Sequence, residues 1–130
     1  MSRVIHVVAG ALYDTHGRVL IAQRPPGKPL AGRWEFPGGK LHAGEDPYAG
    51  LVRELREELA VDVRAASPLL QYSVDYPDRT IWLDMWIVSD WAGLVASLDG
   101  QALKWVEPAR LEGEDILEAD RPIVEALMSR

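Results

Sequence analysis

Three glutamates, Glu54, Glu57 and Glu58, are spaced i, i+3 and i+4 in a segment with strong helical character. Because each residue of an α-helix is rotated by about 100° from the one before it, their side chains fall within roughly a 100° arc. Like charges at this spacing destabilise a helix by about 0.2–0.5 kcal/mol per pair, a cost that Arg53, four residues before Glu57, partly offsets. Mg²⁺, which prefers carboxylate oxygens and bridges to phosphate, would offset far more.

A simpler interpretation is that this segment is only a solvent-exposed, salt-bridged helix face, because such charge runs are common on exposed helices. The residues before the helix favour a functional interpretation. Gly38 and Gly39 permit backbone conformations closed to other residues and let a ligand approach the main chain. Gly44 provides a further turn just before Glu45. A plain surface helix requires none of these glycines.

The helix that carries the glutamates is expected to begin at Pro47, with Asp46 as its N-cap. Apolar residues recur along it at helical spacing, at Tyr48, Leu51, Val52, Leu55 and Leu59. The centre of this stripe lies roughly 120° from the acidic arc. One side of the helix therefore packs against the protein while another gathers carboxylates.

Most of the remaining segments are predicted strands. The apolar run Val4–Tyr13 predicts a strand buried on both faces, and residues 18–23 are typical of its hairpin partner. Further elements are predicted as strands at 34–36, 72–76, 80–88 and 103–106, and as a terminal helix at 120–129. The strand at 80–88 is apolar on both faces, which indicates an interior position. This order predicts an α/β fold, an α/β/α sandwich with a mixed β-sheet between helices.

The composition narrows the possible functions. The chain has 130 residues, which suits one domain, and no cysteine, which excludes thiolate metal sites and thiol nucleophiles. Its formal net charge of −6 disfavours nucleic acid as a partner, whereas a phosphorylated small molecule stays compatible because a metal ion can supply positive charge. No apolar run approaches the length of a membrane span, so we expect no membrane contact and a cytoplasmic location.

Residues 39–61 resemble the signature motif of the Nudix hydrolase family. Gly39 is followed after five residues by Glu45, and after seven more by Arg53-Glu54-Leu55 and then Glu57-Glu58. Ala60 stands where the family usually has glycine, so the helix is expected to end differently or to run on. The likeness extends to residues 23–24, 34–40, 101–105 and 119–122, which predicts one Nudix domain over residues 1–130 and points to the MutT-like branch.

The resemblance implies a Mg²⁺-dependent pyrophosphohydrolase, with Mn²⁺ as a possible substitute, that cuts nucleoside triphosphates into a monophosphate and pyrophosphate. It implies metal ligands at the Gly38 carbonyl, Glu54, Glu57, Glu58 and Asp99. Asp99-Gly100 is also a common turn dipeptide, so that alternative stays open. Glu54 would hold or deprotonate the attacking water, while Arg53 would orient Glu57.

The resemblance also implies a substrate pocket formed by Arg24, Glu35, Phe36, Pro37, Gly38 and Asp120. Arg24 would pair with phosphate. Asp120 would cap the terminal helix, contact the base, or do both; as an acceptor-only group it favours a base that presents N–H groups. The substrates expected for this branch are oxidised nucleotides such as 8-oxo-dGTP.

The alternatives are cytidine nucleotides, another nucleoside diphosphate derivative, or a non-catalytic nucleotide sensor, which the intact glutamates disfavour. The sequence is compatible with a monomer or a homodimer.

Overall fold

The computed structural model describes residues 3–130. Its strands are β1 (Arg3–Leu12), β2 (Val19–Gln23), β3 (Trp34–Glu35), β4 (Gly38–Lys40), β5 (Asp62–Tyr76), β6 (Arg79–Ala92) and β7 (Leu103–Val106). The α-helices are α1 (Pro47–Leu59) and α2 (Arg121–Met128), and short 3-10 helices span Pro108–Gly113 and Glu118–Asp120. No helix among the described residues has the length and apolar character needed to cross a membrane.

The strands form two sheets. The larger sheet has the order β4-β1-β6-β5, in which β1 and β6 are parallel and the other pairs antiparallel; the smaller, antiparallel sheet has the order β3-β2-β7. The predicted turn between β1 and β2 forms, with one antiparallel bridge between Tyr13 and Val19. The rest of the predicted hairpin between β1 and β2 does not form, because β4 and β6 already pair with the two edges of β1.

Two apolar clusters hold the layers together. Val8 and Leu12 of β1 pack with Leu51, Leu55 and Leu59 of α1. The opposite face of the same sheet packs on α2 through a second cluster that includes Ala9, Leu83, Met85, Ile123 and Leu127. The α/β/α layering is therefore confirmed, and β6 is the interior strand that its two apolar faces predict.

Helix α1 begins at Pro47, as predicted, and it ends at a residue, Ala60, whose backbone conformation is unfavourable for alanine. Asp46 Oδ2 accepts a hydrogen bond from the Ala49 N–H at 3.1 Å. Ala60 adopts the left-handed conformation, with φ 59°, and donates its N–H to the Arg56 carbonyl at 3.1 Å. The helix thus ends at Leu59 instead of running on, although alanine disfavours this conformation by about 1 kcal/mol.

Ala60→Gly is expected to raise the free energy of unfolding by about 0.5–1 kcal/mol, because glycine adopts the left-handed conformation without a Cβ clash. Denaturant titration would measure the change. Ala43→Gly is a suitable control, since Ala43 is exposed and its φ is not positive; this variant should be neutral or slightly destabilised. Equal effects of the two substitutions would contradict the assigned cost at Ala60.

Candidate active site

A cleft of about 1040 Å³ lies over the face of the larger sheet that points away from α1. Eight of the residues predicted for metal or substrate binding line it: Arg24, Glu35, Phe36, Gly38, Glu54, Glu58, Asp99 and Asp120. They come from five separate parts of the chain. The fold therefore brings together most of the residues that the sequence singles out.

The glycines of β4 place its backbone directly against the acidic face of α1. A Cβ added at Gly39 would lie 2.5 Å from Glu54 Cδ, and one added at Gly38 would overlap the Val8 carbonyl of β1. The Gly38 N–H donates a hydrogen bond to Glu58 Oε2 at 3.2 Å. A side chain at Gly39 would push β4 away from α1, and one at Gly38 would collide with the backbone of β1, so this packing requires glycine at both positions.

Arg53 organises the acidic residues from outside the cleft. Its Nε and Nη2 donate to both carboxylate oxygens of Glu45, at 2.7 and 2.9 Å, and its Nη1 donates to Glu54 at 3.0 Å and to Glu57 at 3.2 Å. The hydrogen bonds from Arg53 help to lower the pKa of Glu45 to about 2. Arg53 is not part of the cleft lining.

Glu57, a predicted metal ligand, does not line the cleft, and 60% of its side-chain surface is exposed. Its carboxylate turns toward Arg53, which explains this placement. Glu58 points inward instead, and burial, reinforced by the charges of Glu35, Glu54 and Asp99, raises its pKa to about 7. Burial and the neighbouring carboxylates therefore disfavour the charged form of Glu58.

These donors fit a hard divalent cation. Glu54, Glu58 and Asp99 supply carboxylate oxygens to one cleft, and Mg²⁺ selects such oxygen ligands. Within residues 3–130, no three acidic or histidine side chains are already arranged as a complete ligand cluster. The residues have the right chemistry and surroundings, while Glu57 is held aside by Arg53.

The loop that carries Asp99 is fastened to the end of α1. The backbone N–H groups of Ala96 and Leu98 donate to the carbonyls of Leu59 and Glu58, at 2.9 and 3.1 Å. These bonds satisfy carbonyls that a helix end otherwise leaves unpaired. Asp99 is consequently both in a turn and on the cleft wall, so its two interpretations do not compete.

Gln101 is a site residue that sequence reasoning missed. Its Nε2 donates to Glu58 Oε1 at 3.3 Å, and its own Oε1 accepts a hydrogen bond from Ser97 Oγ at 2.8 Å. Gln101 is only 8% exposed, which is rare for a glutamine. Gln101 is among the residues that carry the family likeness, but it received no role, because a polar residue next to a turn usually lies at the surface.

The residues expected around the nucleoside separate into lining and supporting groups. Phe36 is part of the core as well as the cleft, and Glu35 lies beside Arg24, with Arg24 Nε 3.4 Å from Glu35 Oε1. That Nε is buried and makes no hydrogen bond, and the Glu35 carboxylate is its ionic partner. Pro37 was predicted to line the pocket, and this is wrong: it is buried, and its carbonyl accepts the Gly10 N–H at 3.0 Å.

Asp120 immediately precedes α2 but does not cap it, since its side chain makes no capping hydrogen bond. Its Oδ2 instead accepts the Phe36 N–H at 3.1 Å, across the cleft wall. The Tyr72 hydroxyl holds the same segment by donating to the Ala119 carbonyl at 2.8 Å. Burial raises the pKa of Asp120 to about 7, and the nearby charge of Glu35 acts in the same direction.

Comparisons with known proteins agree with this geometry. The family model described as NUDIX domain matches residues 4–127. The CTP pyrophosphohydrolase of Escherichia coli strain K12 is 37% identical over 127 residues, covering 98% of this chain and 93% of that relative. The 8-oxo-dGTP diphosphatase of Proteus vulgaris is 45% identical over 87 residues, covering 67% of this chain and 78% of its own.

Solved structures show the same likeness. The solution structure of the E. coli ORF135 protein superposes with a TM-score of 0.88 at 36% identity, covering 98% of this chain and 91% of the other. A MutT structure described for Aliivibrio salmonicida and Vibrio cholerae has a TM-score of 0.86 at 32% identity and covers 98% of each chain.

Replacing Asp120 by asparagine is expected to stabilise the protein at pH 8 and not at pH 4. A carboxyl group with a pKa of about 7 in the folded protein and about 4 in the unfolded chain binds its proton more tightly when folded. Its contribution to stability is therefore lost as the pH rises from about 4 to 7, and it stays lost above 7.

Denaturant titrations at the two pH values should show a gain for Asp120→Asn on the order of 1 kcal/mol or more at pH 8. The exposed carboxyl of Asp90, at the end of β6, provides the matched control Asp90→Asn. A gain of the same size at both pH values, or in both variants, would show that ionisation of Asp120 is not the cause.

Replacing Gln101 by leucine is expected to raise the Mg²⁺ concentration needed for half-maximal activity by about tenfold or more, as is typical when a ligand loses its supporting hydrogen bond. Mg²⁺ titrations of nucleotide hydrolysis would measure this. Gln71→Leu is the control, because it removes an amide–carboxylate hydrogen bond, to Asp84, outside the cleft. A shift in thermal stability with an unchanged Mg²⁺ response in Gln101→Leu would reduce Gln101 to a structural residue.

Proposed function

The chain belongs to the Nudix family, and we propose that it is a Mg²⁺-dependent pyrophosphohydrolase that converts nucleoside triphosphates to a monophosphate and pyrophosphate. One observation carries the proposal: the carboxylates of Glu54 and Glu58 lie against the Gly38-Gly39 backbone inside a cleft that also presents Arg24. Acidic groups and an arginine that line the same cleft suit a polyphosphate that is bound together with a cation.

The residues of this chain would divide the reaction among them. Arg24, which lines the cleft, would bind a phosphate oxygen through its guanidinium group. Glu54, held in place by Arg53, is the proposed base that accepts the proton of the attacking water. When bound, Mg²⁺ would neutralise phosphate charge and lower the pKa of a water molecule.

The metal would be held by the Gly38 carbonyl, Glu57, Glu58 and Glu54, with Asp99 as a further ligand from the fastened loop. Glu57 would first have to exchange its bond to Arg53 for the cation. The close packing of β4 on α1 supports this assignment, since it keeps a backbone carbonyl and two carboxylates in one place.

Two classes of base fit the nucleoside side of the cleft. The first is the oxidised purine of 8-oxo-dGTP, the substrate for which several relatives are named. The second is cytosine, which is supported by the hydrogen bonding of Asp120. One of its carboxylate oxygens accepts the Phe36 N–H, and the other is free to accept from the exocyclic amine of the base. The relative named CTP pyrophosphohydrolase matches nearly the whole chain.

The proposal also includes the location and the partners that we expect from the amino-acid composition. The enzyme would act in the cytoplasm on free nucleotides, as a monomer or a homodimer, without nucleic acid or membrane as a partner. The excess of acidic over basic residues supports this, because it disfavours contact with phosphate backbones.

A substrate panel of 8-oxo-dGTP, dGTP, dCTP, CTP and 5-methyl-dCTP, assayed for pyrophosphate release with and without Mg²⁺, would test the proposed function. We expect release only with a divalent metal, and a kcat/KM at least tenfold higher for one class of base. Absence of pyrophosphate release from every nucleotide would contradict the proposal.

Glu54→Gln and Glu57→Gln should each lower kcat by at least about 100-fold while leaving the unfolding temperature nearly unchanged, because both variants keep the side-chain shape. Glu112→Gln, at an exposed position outside the cleft, is the matched control. Full activity of Glu54→Gln would refute its assigned role.

Asp120→Ala should change the ratio of kcat/KM between nucleotides with different bases more than it changes the kcat/KM of the preferred nucleotide.

A further inference from the structure

The floor of the cleft is built from three parallel rows of side chains. Residues in register on β1, β6 and β5 share each row, and successive rows are two residues apart along the strands. The rows are Val7/Leu83/Tyr72, Ile5/Ile81/Val74 and Arg3/Arg79/Tyr76, and every member lines the cleft. Because a strand advances about 3.3 Å per residue, the third row lies roughly 13 Å from the first.

The three rows differ in chemistry. The first row adjoins Asp120 through the Tyr72 segment, and the second is purely aliphatic. The third row is cationic and aromatic. The guanidinium of Arg79 lies over the Tyr76 ring, 4.4 Å from its centroid. The acidic groups near Gly38 and the arginines of the third row thus occupy different parts of the cleft.

The pairing of the two arginines is unfavourable by itself. Arg3 and Arg79 are direct neighbours on adjacent parallel strands, which are about 4.8 Å apart. Like charges placed directly opposite each other destabilise a sheet. Arg79 has a partial counter-ion in Asp78, at 2.9 Å, whereas Arg3 makes no ion pair with any of residues 3–130. In a chain of net charge −6, such an arrangement indicates a site for an anion.

Phosphate is the anion that fits this pair, because two neighbouring guanidinium groups can each donate paired N–H groups to its oxygens. The 5′-phosphates of a nucleotide belong at the acidic, metal-binding part of the cleft. An anion at the third row must therefore be carried by the nucleoside end of the ligand. This step rests on the proposed function, which sets the direction of the nucleotide in the cleft.

We propose that Arg3 and Arg79 form a second phosphate subsite, which binds a phosphate attached to the nucleoside end of the nucleotide. That phosphate is a 3′-phosphate monoester or the first phosphodiester of a short oligonucleotide; the two share the same recognition chemistry. The subsite extends the ligands of this cleft beyond simple nucleoside triphosphates.

Binding without turnover tests the subsite. Isothermal titration calorimetry, with Mg²⁺ present, would compare guanosine 5′-monophosphate, guanosine 3′,5′-bisphosphate and the 5′-phosphorylated dinucleotide pGpG, none of which has a phosphoanhydride bond to hydrolyse, and the cytidine counterparts of all three. The bisphosphate is expected to bind at least about tenfold more tightly than the monophosphate, as befits hydrogen bonds between charged groups. The advantage should shrink as salt is raised.

Arg3→Gln and Arg79→Gln should each reduce this advantage toward one and leave the monophosphate affinity unchanged. Arg110→Gln is the control, since Arg110 is exposed and outside the cleft. Thermal unfolding checks that each variant is folded. If pGpG gains as much as the bisphosphate, the phosphodiester is also a ligand; if only the bisphosphate gains, the monoester is.

The proposal is overturned if the bisphosphate binds no more tightly than the monophosphate, if neither ligand binds, or if the arginine variants weaken both ligands equally. Equal weakening of both ligands would mean that the arginines contact the base instead of a second phosphate. A lack of hydrolysis in the substrate panel would leave the bisphosphate comparison interpretable, because it requires no turnover. Hydrolysis without a bisphosphate preference would overturn the second subsite alone.

Discussion

The contact between the backbone of β4 and the acidic face of α1 determines the architecture of the site. With no side chain at Gly38 or Gly39, Glu54 and Glu58 come within contact distance of a strand that is itself paired with β1. A helix on the surface could carry the same glutamates without any function. Here, burial and a neighbouring main chain convert three similar residues into groups with different surroundings: Glu58 inside, Glu54 against the glycines and Glu57 in solvent.

That contact concentrates negative charge, and the surrounding structure compensates for it. Arg53 binds Glu45, Glu54 and Glu57 at once, and the amide of Gln101 reaches Glu58 from the opposite side. The loop that provides Gln101 and Asp99 is held by backbone hydrogen bonds to the end of α1. Glu54 and Glu58 are therefore held in place by partners on both sides, whereas the carboxylate of Glu57 is turned toward Arg53.

The cleft changes character along its length. Carboxylates dominate at the glycines, Asp120 and Phe36 share a hydrogen bond in the middle, and paired arginines lie at the outer row. A nucleotide has the complementary order, since it joins a polyphosphate to a base and a sugar. Alternate residues of β6 lie on the same face of the sheet. On that face Leu83 and Met85 pack in the core with α2, while Ile81 and Arg79 line the cleft, so the core and the binding surface are two parts of one sheet face.

The sequence by itself determined where α1 begins and which of its faces are apolar and acidic, because the N-cap, the apolar stripe and the acidic arc are all set by residues close together in the chain. It also predicted the α/β class and the interior position of β6, since periodicity is a local property. Only the tertiary structure decided which residues face the ligand. Pro37 turned out to support Gly10, Asp120 bonded to Phe36 across 84 residues instead of capping α2, and Gln101 joined Glu58. These outcomes depend on contacts between segments that are far apart in sequence. The geometry of such contacts is set by how the two sheets and two helices pack, and no local sequence pattern encodes it.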